Sequence, residues 1–124
     1  MHQELIEKAK VVLGEFQLAK QSLTAGAVGC ALRTSLGNVY TGICLDLACG
    51  IGFCAEHAAI AEMLKARETV IDSIVAVSSK GVLMPCGRCR ELLVQVSKEN
   101  FKTKVVVDST NHIMLSDLLP RHWM

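Results

Sequence analysis

The chain has 124 residues, enough for one domain that buries most of its apolar surface and too few for two ordinary cores. Its 13 Lys and Arg against 12 Asp and Glu leave a net charge of +1 with no run of either sign, which excludes the electrostatic footprint of a polyanion or anionic-membrane binder. Only five aromatics are present, Phe16, Tyr40, Phe53, Phe101 and Trp123, and no basic run accompanies them, so stacking on a nucleic acid polymer is not expected and a small-molecule substrate is favoured.

Leu5, Ile6, Ala9, Val12, Leu13 and Phe16 recur at intervals of three and four, which predicts an amphipathic helix running to about Lys20. Glu4, Glu7, Lys8 and Lys10 are interleaved with them, so the segment is neither a signal nor a transit peptide. No stretch reaches the roughly 18 uncharged apolar residues of a membrane span, and a cytoplasmic protein with reduced thiols is expected. The runs 27–34 and 39–44, separated by Ser35-Leu36-Gly37-Asn38, predict an antiparallel hairpin. A helix is expected from about Cys54 to Arg67, where Ala, Glu, Met, Leu and Lys run without a breaker. Then follow a β-branched strand over 74–77, a loop over 81–85, a helix over 87–96, strands over 104–107 and 112–115, and a last helical turn over 116–119. Strands separated by helices imply crossover connections, hence an α/β layered fold around a mixed sheet, organised as a single domain over residues 1–124.

Chemistry concentrates in Cys54-Ala55-Glu56 and, some thirty residues on, Pro85-Cys86-Gly87-Arg88-Cys89. Three thiols at these spacings, with a carboxylate beside the first, suit a catalytic zinc that keeps a position for water better than a closed four-ligand structural site. Both Cys54 and the Cys86/Cys89 pair fall at predicted helix starts, where exposed N–H groups favour thiolates. Three thiolates on one Zn²⁺ leave a net negative site, and His57, Arg88 and Arg90 are the candidates to offset that charge. Along a helix Glu56 projects about 200° around from Cys54, yet near a first turn both groups can reach one pocket. Its expected role is to carry a proton between the attacking water, the ring and the leaving amine. The reaction these parts suggest is hydrolytic removal of an amino group.

Other readings of the motifs stand beside this one. Cys86-Gly87-Arg88-Cys89 at a strand-to-helix junction also fits a thioredoxin-like redox motif, which leaves Cys54-Ala55-Glu56 unexplained and lacks a suitable proline, only Pro85 and Pro120 being present. A structural zinc with Cys44 or Cys49 as fourth ligand leaves Glu56 unexplained. A non-catalytic zinc-binding assembly subunit is the competing functional class.

Cys-Ala-Glu followed by Pro-Cys-Gly-x-Cys-Arg resembles the zinc-dependent cytidine deaminases, including the blasticidin S deaminases, over nearly the whole chain from Val28-Gly29 to Leu118-Leu119-Pro120. The resemblance implies a three-layer α/β/α sandwich with a five-stranded mixed sheet, one Zn²⁺ per subunit and a homo-oligomer, a tetramer or else a dimer. It makes Cys54, Cys86 and Cys89 the zinc ligands and Glu56 the proton shuttle, and it places the Ala55 N–H on the pyrimidine carbonyl. Members of this family usually carry a Phe two residues before Val-Gly-Ala, an Asn-x-Glu pair after the second strand, and an Arg after Cys-Ala-Glu. Here those places hold Gly26, Cys44 with Asp46, and His57. Gly26 cannot stack, Cys44 is a weak hydrogen-bonding partner, and Asp46 is a methylene shorter than Glu. The expected substrate is therefore a small cytosine-type compound whose ring substituent differs from plain ribose; ordinary cytidine or deoxycytidine is the alternative.

The remaining residues read more plainly. Cys30 is expected in the core, and Cys44 and Cys49 either as core filler or as pocket lining. His2, His112 and His122 are expected to be solvated or locally bonded and not to ligate metal. Glu62, Lys65, Arg67 and Glu68 suit an exposed helical face, Glu91 surface or subunit contacts, and Phe53 core or pocket wall. Trp123 lies where relatives place an aromatic near a neighbouring pocket, or in a disordered tail. An apolar fraction of 51% is high for so small a body and points to surface covered by other subunits.

Overall fold

The computed structural model describes residues 1–124. Helix α1 spans Gln3–Val12 and is followed by β1 (Phe16–Gln17), the long β2 (Thr24–Thr34) and β3 (Val39–Asp46). Helix α2 (Ala55–Lys65) leads into the hairpin β4 (Ile71–Ser78) and β5 (Gly81–Leu83), then α3 (Gly87–Val96), a 3-10 helix (Lys98–Lys102), β6 (Lys104–Val106), β7 (His112–Met114) and a closing 3-10 turn (Leu115–Leu118). All strands join one seven-stranded mixed sheet, in which β4 and β6 are parallel and the other pairs antiparallel.

The resemblance implied five strands, and the register accounts for the difference. Ala25 pairs with both Phe16 and Leu45, so β1 and β3 lie on opposite edges of β2; further along, Gly29 to Arg33 pair with both β3 and β4. Hence β1 occupies the same lateral position as β4, beyond its end. By the same reasoning β5 and β6 share one side of β4. The long positions run β3-β2-β4-β6-β7, with β1 and β5 as short extensions.

Strand alternation sorts the core into two layers. Ala31, Val75, Val77 and Val106 face α1 and meet Leu5, Ile6 and Ala9. Cys30, Leu32, Ile74 and Val105 point to the other side, against Ala59, Ile60 and Met63 of α2 and Leu93 and Val94 of α3. Each large side chain buried in this way contributes about 1.5–3 kcal/mol. The sandwich is thus α1, then the sheet, then α2 with α3.

Several local expectations need correction. The first helix stops at Val12, not near Lys20: the Gly14 N–H donates to the Gly26 carbonyl (2.9 Å), and Phe16–Gln17 pair with the start of β2. A periodic apolar pattern was overridden by strand pairing, and Phe16 lies 52% exposed on that edge. The fourth strand begins at Ile71 because Asp72 and Ser73 keep the alternation with one exposed and one buried side chain. Residues 81–83, expected as loop, close a hairpin on Ala76–Ser78. The 3-10 helix after α3 was not expected. Its fully buried Asn100 accepts from the Ile71 N–H (2.8 Å) and donates to the carbonyls of Leu93 (2.8 Å) and Thr69 (3.0 Å), which ties α3 to the start of β4.

His2, His112 and His122 have partners across the fold, and His122 also accepts locally from the Met124 N–H (3.1 Å). His2 Nε2 lies 2.9 Å from His112 Nδ1, joining the head of α1 to β7, and burial followed by the neighbouring His112 holds the His2 imidazole below its ordinary value. His122 donates through Nε2 to Glu91 (2.8 Å), and Trp123 Nε1 donates to the same carboxylate (3.1 Å), so the tail is docked on α3. Glu68 is not a solvated helical residue either: it follows α2 and accepts from Tyr40 (2.6 Å) and Asn38 (2.9 Å).

The approach of α2 to β3 depends on a missing side chain. A Cβ at Gly42 would stand 2.4 Å from the Ala59 nitrogen and 2.7 Å from the Ala55 carbonyl oxygen, both helix backbone that cannot yield. Gly42→Ala is expected to push α2 off the sheet and destabilise the protein by about 1–3 kcal/mol. Urea unfolding with parallel zinc analysis checks this; an unchanged midpoint and full metal content would show the contact to be unimportant.

Candidate metal centre and catalytic pocket

Cys54 is the N-cap of α2 and Cys86 the N-cap of α3, both with extended backbone (φ −76°, ψ 157° and φ −70°, ψ 169°), and Cys89 follows in the first turn of α3. Antiparallel pairing of β2 with both β3 and β4 makes β3 and β4 parallel, so the chain leaves both toward the same end of the sheet, and the 47–52 loop after β3 and the β5 hairpin after β4 each turn back before α2 and α3 begin. Leu45 and Phe53 exchange two backbone bonds (2.9 and 3.1 Å), folding the 47–52 loop back so that Cys54 lies beside the end of β3.

The three sulfurs converge, with Cys54 3.6 Å from Cys86, Cys86 3.5 Å from Cys89, and all within 4.8 Å of one another. Zinc–thiolate bonds of about 2.3 Å in a tetrahedron put sulfurs about 3.8 Å apart, so the donor set fits one zinc ion. No His, Asp or Glu joins the group, and neither Cys44 nor Cys49 belongs to it. A closed four-cysteine site is thereby disfavoured, and three protein donors leave the coordination of a catalytic zinc.

Protonation shows why a cation belongs here. Burial, then the Cys86 thiol, pushes Cys54 up. Burial, then the Glu56 charge and the other two thiols, pushes Cys89 up strongly. Cys86 is held below the ordinary thiol value: burial opposes this, but the Cys89 N–H, the adjacent thiols and the Arg88 N–H outweigh it. Three thiolates crowded together repel, and a bound divalent cation reverses that balance.

Glu56 is buried beside the cysteines, and desolvation raises its carboxyl above the ordinary range. It lines a cavity of about 490 Å³ together with Cys54, Ala55, Cys86, Cys44 and Asp46. Ala55 opens α2, so its N–H has no partner within the helix. Glu56, Ala55, Cys44 and Asp46 are thus brought to one cavity with Cys54 and Cys86, while Cys89 joins them through the sulfur group and does not line it.

The three candidates for charge compensation separate. His57 Nδ1 lies 3.5 Å from Cys89 Sγ, and beside a thiolate that nitrogen must be the donor. Burial, then Arg88, holds His57 below its ordinary value. Arg88 is exposed, lines the cavity, and supplies charge without a direct bond to sulfur. Arg90 donates to the carbonyls of Pro85 (2.7 Å) and Leu118 (3.4 Å), bracing the segment before Cys86.

The substrate wall holds the main departures. Between Ala25 and Gly29 β2 bulges, and Cys44 alone faces the extra residues. The Val28 N–H donates to Cys44 Sγ (3.3 Å), and that thiol approaches Asp46 Oδ2 (3.7 Å). Gly26 sits at φ +87° with its Cβ position 2.2 Å from the Gly14 carbonyl oxygen, so no side chain can stand there. Leu83 and Met84 also line the cavity, unnoticed in the sequence; two large apolar residues immediately before Pro85-Cys86 were the available signal. Phe53 is half-buried in the pocket wall and Cys30 fully buried in the core.

Such a site, a three-thiol metal group with a buried carboxylate at an apolar cavity in an α/β/α sandwich, defines a zinc hydrolase. Residues 1–107 match the family described as the cytidine and deoxycytidylate deaminase zinc-binding region. A cytidine deaminase of Mycobacterium tuberculosis is 33% identical over 97 residues, which cover 76% of this chain and 70% of that protein. A blasticidin-S deaminase of Bacillus cereus is 32% identical over 84 residues, 60% of each. A crystal structure of cytidine deaminase from Burkholderia pseudomallei superposes with a TM-score of 0.77 at 28% identity, covering 99% of both chains. One from Mycobacterium tuberculosis gives 0.81 at 25% identity, covering 98% of this chain and 96% of that one. The chain belongs to the cytidine and deoxycytidylate deaminase family and is a zinc-dependent hydrolytic deaminase.

Cys86→Ala is expected to lose the metal, because it removes the sulfur that lies within 3.6 Å of each of the others. Zinc per chain, measured by elemental analysis after dialysis, should fall to a small fraction of the native value; full occupancy would refute the ligand assignment.

Proposed function

We propose that the protein replaces the exocyclic amino group of a small cytosine-type compound by oxygen, releasing ammonia, and that its substrate carries a ring substituent other than plain ribose. The observation that carries the reaction is the buried Glu56, which lines the same cavity as Cys54 and Cys86 of the three-thiol group. Zinc held by Cys54, Cys86 and Cys89 would supply the Lewis acidity that makes a water nucleophilic near neutral pH. Glu56 accepts the proton that water gives up and passes it to the ring nitrogen, then takes the remaining proton of the newly added hydroxyl and delivers it to the leaving amine as the carbonyl forms. Its desolvated position suits a group that must hold a proton as readily as release one. The Ala55 N–H donates to the ring carbonyl and fixes the ring's orientation, and the apolar walls exclude bulk water. A non-catalytic zinc subunit would give no reason to bury a carboxylate here against its desolvation cost.

The altered substrate rests on Cys44, whose thiol meets a backbone N–H and a carboxylate where relatives use an amide, and on Gly26. The names of the relatives make cytidine and blasticidin S the first compounds to try. Ammonia release from cytosine, cytidine, deoxycytidine, blasticidin S and modified pyrimidines distinguishes the cases. Cytidine turned over best of the panel would return the protein to an ordinary cytidine deaminase.

The chain is proposed to act as one domain, in keeping with the single sheet through residues 16–114, and as a cytoplasmic homo-oligomer, with a tetramer favoured over a dimer. No helix is long and apolar enough to cross a membrane. Ile51, Leu83 and Met84 are exposed beside the cavity, apolar surface that a neighbouring copy would cover. Light scattering on the purified protein tests the assembly, and a monomer would remove it.

Glu56→Gln keeps the shape of the side chain but cannot accept a proton. It is expected to retain zinc and lose about 10²–10⁴-fold in kcat. Steady-state rates on the best substrate, with zinc analysis alongside, decide this; near-native turnover would sink the assigned role.

A further inference from the structure

His2 is a titratable side chain that the fold buries far from the metal centre, and it fastens the head of α1 in three ways. Its backbone N–H donates to the Ser109 carbonyl (2.8 Å), and its own carbonyl accepts from the Ile6 N–H (3.1 Å) to begin the helix. Its side chain makes no cap bond and turns instead to β7, where Nε2 lies 2.9 Å from His112 Nδ1 with the two rings nearly perpendicular at 83°. The element that receives it is slight: β7 has three residues, pairs with β6 alone and forms an edge of the sheet. Helix α1 in turn covers the sheet face made by Ala31, Val75, Val77 and Val106.

A contact between two imidazole nitrogens holds in some protonation states and fails in one. With both rings neutral, one N–H donates to the other ring's lone pair, and a single added proton still leaves a charged donor facing a neutral acceptor. A second proton makes both facing nitrogens donors of like charge. The surroundings add to that repulsion. Lys104 of β6 and the Met1 amino group also oppose a proton on His2, and Asp72 of β4, which favours one, already faces Lys104 at 3.6 Å. Glu4 of α1 is turned to Arg33 (3.2 Å), and the Asp108 carboxylate is committed to Thr110 and Asn111 within its own turn. A cation at the N-terminus of a helix is unfavourable in its own right.

We propose that His2 and His112 are a pH-operated latch that fastens α1 to the β6–β7 hairpin, closed while at least one imidazole is neutral and released when both are protonated. Release frees the head of α1 and the edge strand, and leaves the layer of α2 and α3, on the other side of the sheet, in place. Burial, then His112, holds the His2 imidazole below its ordinary value, so the closed form binds fewer protons than the open one. The fastening is therefore complete above about pH 6.5 and is lost as the pH falls below it.

Amide hydrogen exchange on the zinc-loaded full chain, read by mass spectrometry at about pH 7.5 and about pH 5.5, tests the latch on either side of that value. Elemental analysis confirms zinc in each sample. Protection in peptides covering 3–12 and 112–114, corrected for the intrinsic exchange rate at each pH, should fall by about three- to tenfold, the most that one proton can give across that interval. Peptides from α2 and α3 should change by less than about twofold. His112→Gln, neutral at every pH, should remove the pH-dependent part of the loss in α1. NMR titration of the imidazole nitrogens in the native protein reads the pair without any substitution: the two rings should take up protons in two separated steps, the second accompanied by the loss of α1 protection. Protection of α1 and β7 that does not change with pH, an equal loss in α2 and α3, a His112→Gln protein that keeps the native pH response, or two imidazoles that titrate independently overturns the proposal.

Discussion

Three sulfurs held within 4.8 Å of one another are the constraint on which the rest of the molecule depends. As thiolates they repel, and no local stretch of chain could hold them together. The 47–52 loop after β3 and the antiparallel β5 after β4 turn the chain back, and the N-termini of α2 and α3 meet at the three sulfurs. Each helix end contributes unsatisfied N–H groups, so backbone dipoles face the sulfurs before any cation arrives. The layered architecture is thus a device for opposing two helix N-termini, and Gly42 and the Leu45–Phe53 bridge set how closely they approach.

The same end of the sheet pays for its irregularity with polar contacts that no ladder supplies. The β2 bulge removes the Val28 N–H from regular pairing, and Cys44 Sγ receives it at 3.3 Å. Asn100 does comparable work deeper in the fold, collecting three backbone groups where α3 turns back toward the sheet. Arg90 does so at the surface, on the carbonyls of Pro85 and Leu118. In each case a polar side chain compensates backbone displaced to form the site, as buried polar groups require.

The metal group was legible because its residue types and spacings are chemically narrow, and the 87–96 helix because nothing competes with its periodicity. Helix α1 was overextended since Leu13 and Phe16 continue a helical pattern that pairing with β2 overrides, and the pairing of Phe16 with Ala25 and Gln17 with Thr24 leaves no trace in the periodicity. His2 with His112 and His122 with Glu91 illustrate the same limit at longer range, 110 and 31 residues apart. Arg90 was read by its charge and proximity to the cysteines, while its actual partners depend on a C-terminal turn packed nearby. Cys44 could be placed near the pocket, but the bulge that commits its sulfur to Val28 exists only in the folded register.

The metal group and the opposite part of the cavity lining lie on different parts of the scaffold. The metal group, Glu56 and the Ala55 N–H are fixed by the first turns of two helices, where a one-residue change would misplace a donor by about 100° around the axis. Asp46 and Cys44 stand at the end of a strand beside a bulge, where side chains can change without moving α2 or α3. Side chains there can vary while the metal group stays constant, and Gly26 marks how far this chain departs. Its φ of +87° and the Gly14 carbonyl against it exclude the aromatic that relatives carry, so a reversal at Cys44 and Asp46 alone would not rebuild the missing face.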